Sequence, residues 1–209
     1  MKRYGLFIWI PKNAGSSLVN TVLKGKFGFE KRKYPGAFDT FNNDNHVTFV
    51  HLSVQELLAA GHISQEFYQN AYKFCFVRNP YDRLVSAWKY NGDVEGKHTL
   101  DFEGYVKEVA EKIDTKEGLP HIGLWNQRGF VHANRQVDWI VDDIDFIGRF
   151  ETLQKDFNQI CDALDLPRTQ LPHENQSNRR PYQDYYTEEA REIVTEIYKE
   201  DIERFGYTF

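Results

Sequence analysis

Lys12-Asn13-Ala14-Gly15-Ser16-Ser17 is the stretch best equipped for chemistry. It lies between an apolar run, Leu6 to Ile10, broken at Pro11, and a segment whose apolar residues Leu18, Val22 and Leu23 recur at helical spacing. The pattern is strand, polar loop, helix. A loop that turns into a helix leaves the first backbone N–H groups without intrahelical partners and places the positive end of the helix dipole there, so an anion is the natural ligand. Gly15 allows close backbone approach, Ser16 and Ser17 offer hydroxyls, and Lys12 supplies a mobile cation. The loop is not a nucleotide-triphosphate loop, in which Lys and Ser/Thr follow the second glycine of a longer span. Here the lysine precedes the glycine, and the tighter turn suits a single phosphate group with its immediate neighbour.

The elements that must position such a loop repeat further on. Tyr72 to Val77 is a second run of strand formers, broken at Arg78-Asn79-Pro80. Asn79 is a helix cap and Pro80 fits the first helical position, so a helix is predicted from Pro80 to about Tyr90. Leu84, Val85 and Trp88 give it a core face, while Asn79, Arg83, Ser86 and Tyr90 share another. Two units of strand, polar loop and helix predict an α/β fold. It would be a single domain over residues 1–209, with a central parallel sheet flanked by helices and binding loops at the strand ends.

Between these units, Gly25 to Asn45 reads as a surface excursion, and His46 to His51 as a short strand. Ser53 and Glu56 form a capping box for a helix ended by Gly61, and Ser64 caps another through Asn70. After them, Asp101 to Ile113 is an amphipathic helix, and Lys116 to Arg135 is a lid, a substrate wall or a packed excursion. Val137–Val141 and Asp145–Arg149 resemble a strand pair around the Asp142-Asp143 turn. Helices follow at Glu151–Leu164 and from Thr187 to about Phe205, separated by a polar loop over Leu171–Arg180.

With 209 residues, 41% of them hydrophobic, the chain can bury one good core. A net charge of −5 argues against a general nucleic-acid binder, so any anion site is local. Cys75 and Cys161 both sit in apolar patterns, which implies no disulfide framework. No targeting segment or membrane span is visible, and a cytoplasmic location is expected.

The pair Pro11–Leu18 (PKNAGSSL) and Phe76–Trp88 (FVRNPYDRLVSAW) resembles the two cofactor motifs of sulfotransferases that use 3′-phosphoadenosine-5′-phosphosulfate (PAPS), in particular the carbohydrate-type (Golgi glycan sulfotransferase-like) branch. Asp145–Glu151 (DFIGRFE), Leu171–Asn175 (LPHEN) and the ending Asp201 to Tyr207 add to the resemblance. Gly25–Asn45 and Gly92–Arg135 match least. The resemblance implies a P-loop-NTPase-like sulfotransferase fold and a donor held at two anionic ends. Lys12, Asn13, Ala14, Gly15, Ser16 and Ser17 would take the 5′-phosphosulfate, Arg78 and Ser86 the 3′-phosphate, with Arg179 as a further candidate there.

By the same resemblance, Lys12 and His51 are the expected catalytic residues. Lys12 would neutralise charge on the bridging oxygen in a loose, in-line sulfuryl transfer, and His51 would act as general base. His46, His173 or an acid are alternatives as base; His62, His98, His121 and His132 read as surface or loop residues. Trp125, Phe130, Tyr182 or Tyr185 are candidates to stack on adenine. The donor co-substrate is PAPS and no metal is expected; the acceptor is a hydroxyl, in preference to an amine, of a carbohydrate or small metabolite. A nucleotide-binding protein without catalysis, or an atypical nucleotide-dependent kinase, are the competing functions.

Overall fold

The computed structural model describes residues 5–19, 40–43, 46–59, 61–94, 99–113, 130–172 and 179–209. The chain forms two compact units, 1–77 with 139–175 and 78–138 with 176–209. The first unit carries a five-stranded sheet in the order β2-β3-β1-β4-β5. Strands β1 (Gly5–Trp9), β3 (His46–Val50), β4 (Tyr72–Val77) and β5 (Phe146–Arg149) run parallel, and β2 (Thr40–Asn43) pairs antiparallel to β3 at the edge. The register sets Gly5 opposite both His46 and Tyr72.

The expected parallel sheet is therefore present, and β1 and β4 bury side chains on both of its faces. Phe7, Phe74 and Phe76 lie in one cluster with Leu18 of helix α1 (Gly15–Val19) and with Phe157, Ile160, Cys161 and Leu164 along α6 (Leu153–Ala163) and its end. Phe7 and Phe74 stack with ring centroids 5.2 Å apart. Leu6, Ile8, Cys75 and Val77, at the intervening positions, are buried as well. Burial on both faces explains why these strands read as continuous apolar runs. Helices α2 (Val54–Ala59) and α3 (Gln65–Asn70) complete the first unit. The predicted capping box is made: Ser53 N–H donates to Glu56 Oε2 at 2.8 Å, and Glu56 N–H to Ser53 Oγ at 3.3 Å.

Two expectations are corrected here. The surface excursion Gly25–Asn45 contains β2, an edge strand whose polar Thr-Phe-Asn-Asn sequence hides it from a pattern search. Val137–Val141 is not a strand. Residues Gln136–Trp139 form a 3-10 turn because the Gln136 and Val137 N–H groups both donate to the Asp201 carboxylate, at 2.9 Å each. The strand at Phe146–Arg149 pairs instead with β4, guided by Asp145, whose N–H donates to Lys73 O and whose carboxylate accepts from Lys73 N–H.

The second unit contains α4 (Pro80–Lys89), continued by a π turn over Tyr90–Val94, α5 (Phe102–Lys112), α7 (Glu188–Ile197) and α8 (Lys199–Phe205). Asn79 caps α4 by accepting from Tyr81 N–H at 3.0 Å, with Pro80 in the first turn. The last helix, expected to run unbroken to Phe205, divides at Tyr198. That residue is buried with its hydroxyl on Ala133 O, and the preceding Ile197 carbonyl accepts from Arg135 Nε at 2.7 Å. Side-chain demands of the neighbouring segment outweigh helix continuity there.

Gly148 lies opposite Phe76 in the β4–β5 ladder, and a Cβ on it would meet that ring at 2.5 Å. The ring is fully buried and cannot yield. Gly148→Ala is expected to lower stability by about 1–3 kcal/mol, read from the midpoint of urea unfolding.

Candidate active site

The loop after β1 is held in an uncommon conformation. Lys12 and Ala14 both have positive φ, 65° and 62°, which costs a residue with a Cβ on the order of 1–2 kcal/mol each. Asn13 between them is 1% exposed and donates from Nδ2 to Phe76 O at 2.7 Å, fastening the loop to β4. Alternation of left-handed and ordinary backbone is the pattern from which anion-binding concavities are built. Gly15 is required here by packing. A Cβ on it would fall 1.7 Å from Trp9 Nε1, so the indole lies directly against the glycine backbone. Ser16 is exposed and Ser17 buried, so one of the two hydroxyls faces solvent.

His51 follows β3 directly, at positive φ, and its Nδ1 is 3.1 Å from Trp9 O. A carbonyl only accepts, so the neutral imidazole carries its proton on Nδ1 and keeps the lone pair on Nε2, the form a general base needs. The His51 and Trp9 rings meet edge to face at 5.8 Å. Trp9 thus touches both the loop glycine and the histidine. His46 lies at the opposite end of β3, paired with Gly5 and about 16 Å along the strand from His51.

In the second unit Arg78 is 7% exposed and ion-paired with Asp82, Nη2 to Oδ2 at 2.6 Å and Nε to Oδ2 at 2.8 Å. Arg179 reaches the other oxygen of the same carboxylate. Two guanidinium groups on one carboxylate leave a local excess of one positive charge, which favours a further anion. Ser86, half-buried, lies one turn beyond Asp82 on α4. The structure therefore brings Arg78 and Arg179 together in the second unit, while in the first unit Gly15 of the loop and His51 both meet Trp9.

Other expectations fare differently. Tyr182 packs edge to face on Phe209, and Tyr185 on Trp88, both half-buried. Phe130 opens the 3-10 turn Phe130–Ala133. Trp125, His98, His121 and His173 lie outside the described residues. His132, read as a surface or loop residue, is buried at 6% exposure, with Nδ1 2.7 Å from Asn91 Oδ1. Its sequence neighbours carry no periodic pattern that would reveal this. Sequence reasoning gave no role to Asp82, Gln136 or Asp201; the four-residue spacing of Arg78 and Asp82 on a helix start was the available signal for the first.

Residues 5–119 and 138–208 match the model of the sulfotransferase family. The chain belongs to that family. It is a sulfotransferase, an enzyme that moves a sulfuryl group from donor to acceptor. A crystal structure of a sulfotransferase from Alicyclobacillus acidocaldarius is similar to it at 16% identity and a TM-score of 0.48, covering 98% of this chain and 94% of that one. No curated protein matches the sulfotransferase described here. Among the described residues, no group of three or more His, Cys, Asp and Glu side chains is placed to hold a metal ion. No helix among them is long and apolar enough to cross a membrane.

Asp138, in the 3-10 turn Gln136–Trp139, is exposed as a residue. Neighbouring atoms nonetheless partly desolvate its carboxyl, which is pushed up to about 6, first by that desolvation and then by the charges of Asp201 and Glu200, against the pull of Arg135 and Arg83. Its folded form prefers the proton. Wild-type stability is accordingly expected to fall as pH rises from the ordinary carboxylate value of 3.8 through about 6. Asp138→Asn cannot titrate, so its melting temperature should gain on the wild type across that window in paired thermal melts and hold the gain above it.

Proposed function

We propose that this sulfotransferase takes its sulfuryl group from PAPS and transfers it to a hydroxyl of a carbohydrate or small metabolite, acting as one functional domain over residues 1–209 in the cytoplasm. The observation that supports the donor most directly is the convergence of Arg78 and Arg179 on Asp82, a cationic group separate in the chain from the Lys12 loop. PAPS differs from ATP in carrying a 3′-phosphate, and a second cation site is what that group requires. The donor set fits: a lysine and backbone N–H groups in one loop, two guanidinium groups and the Ser86 hydroxyl in the other cluster.

Bound PAPS supplies a sulfuryl group on a bridging oxygen that leaves with the nucleotide. In this reading the Lys12 ammonium balances the charge on that oxygen, and the loop N–H groups with Ser16 and Ser17 orient the sulfate end. Arg78, Ser86 and Arg179 hold the 3′-phosphate. His51, with its proton fixed on Nδ1 by Trp9 O, offers Nε2 to the acceptor hydroxyl. The hydroxyl proton passes to Nε2, and the other residues act through positioning and charge.

Calorimetry with desulfated nucleotide, adenosine 3′,5′-bisphosphate, against ATP tests the donor. The bisphosphate should bind more tightly, and Lys12→Ala and Arg78→Ala should each weaken it by at least about tenfold. Equal affinity for both nucleotides, or indifference to both substitutions, would overturn the assignment. His51→Ala should lower kcat by about 10²- to 10⁴-fold and leave bisphosphate affinity nearly unchanged. Loss of nucleotide binding in that variant would make the histidine structural.

A further inference from the structure

Arg78 sits where β4 ends and α4 has not begun, so its backbone N–H and C=O belong to neither ladder nor helix. Both are nonetheless bonded, and to one side chain. Arg78 N–H donates to Gln136 Oε1 at 2.9 Å, and Gln136 Nε2 donates to Arg78 O at 2.9 Å. The carboxamide imitates a neighbouring strand for a single residue.

A carboxamide can rotate by half a turn and exchange its donor and acceptor ends. Asp201 prevents that. Its Oδ2 accepts from Gln136 Nε2 at 3.2 Å and from Gln136 N–H at 2.9 Å, and its Oδ1 accepts from Val137 N–H at 2.9 Å. Gln136 and Asp201 are both 0% exposed, so water does not compete for these bonds. With its backbone clamped and its guanidinium on Asp82, Arg78 is fixed at both ends before any ligand arrives.

We infer that Gln136, oriented by Asp201, is a positioning residue that presets Arg78 for the 3′-phosphate of the donor, so that discrimination for that phosphate depends on a side chain that never touches it. The inference rests on the proposed role of Arg78. An anion site whose guanidinium is fixed in advance avoids the ordering cost of a rotamer-rich side chain.

The experiment compares adenosine 3′,5′-bisphosphate with 5′-AMP, which lacks the 3′-phosphate, by calorimetry on the full chain. In Gln136→Glu the side chain keeps its size and accepts Arg78 N–H; two buried carboxyls this close cannot both ionise, so one proton is held between the new carboxyl and Asp201, and Arg78 O loses its donor. Bisphosphate affinity should fall by about tenfold with 5′-AMP affinity held within about twofold, and Arg78→Ala should show the same pattern more strongly. If Arg78→Ala removes the discrimination and a folded Gln136→Glu keeps it, the positioning role is wrong and the role of Arg78 stands. If the wild type binds both nucleotides equally, the reading of Arg78 fails and this inference with it. A second measurement needs no substitution: amide hydrogen exchange at Arg78 should be slow in the free protein and little changed by the bisphosphate. Fast exchange that slows only on binding would overturn the inference even where the variant does not fold.

Discussion

Parallel pairing of β1 with both β3 and β4 is the constraint on which the first unit's chemistry depends. Because the three strands run the same way, the turn after Trp9 and the turn after Val50 emerge at one edge of the sheet. Gly15 and His51 are remote in sequence and become neighbours of a single indole, that of Trp9. The same pairing brings the carbonyl of Phe76 within reach of Asn13, so the strained loop is tied to the strand beside it. Strained backbone survives where surrounding structure over-determines it, and here a buried amide does so.

The second unit solves a different problem, that of holding cations in a folded interior. Arg83 is fully buried with Nη1 on Asn134 O at 2.8 Å, and burial lowers its affinity for a proton. Asp201 lies close enough to act on it electrostatically, while its own carboxyl is pushed up by burial. Each charge makes the other tolerable, in keeping with the rule that buried charges are paired and hydrogen-bonded. Arg78 and Arg179 share Asp82 on the same logic, nearer the surface.

Much of this was legible in the sequence because it is local. Pro11 and Asn79-Pro80 end strands for steric reasons that act within two residues, and Ser53, Ser64 and Thr187 announce helices through bonds spanning three. The loop after β1 was visible as a residue pattern, and so was the family. What was hidden depends on distant partners. The choice of β4 as the neighbour of β5 is made by Lys73 with Asp145 and by the space over Gly148, which no period in the sequence records. The break at Tyr198 and the burial of His132 are likewise set by residues far along the chain.

The interleaving of the two units bears on how the polypeptide comes into being. Synthesis proceeds from the amino end, yet β4 receives its neighbour β5 only after about seventy further residues, a span fixed by the Phe74–Phe146 register. The second unit waits longer still, since the Gln136 and Val137 amides find their acceptor only when Asp201 has been made. A ribosome-bound fragment that stops short of α8 therefore lacks the carboxylate that answers two buried donors of the second unit, each a cost to any structure formed before it arrives.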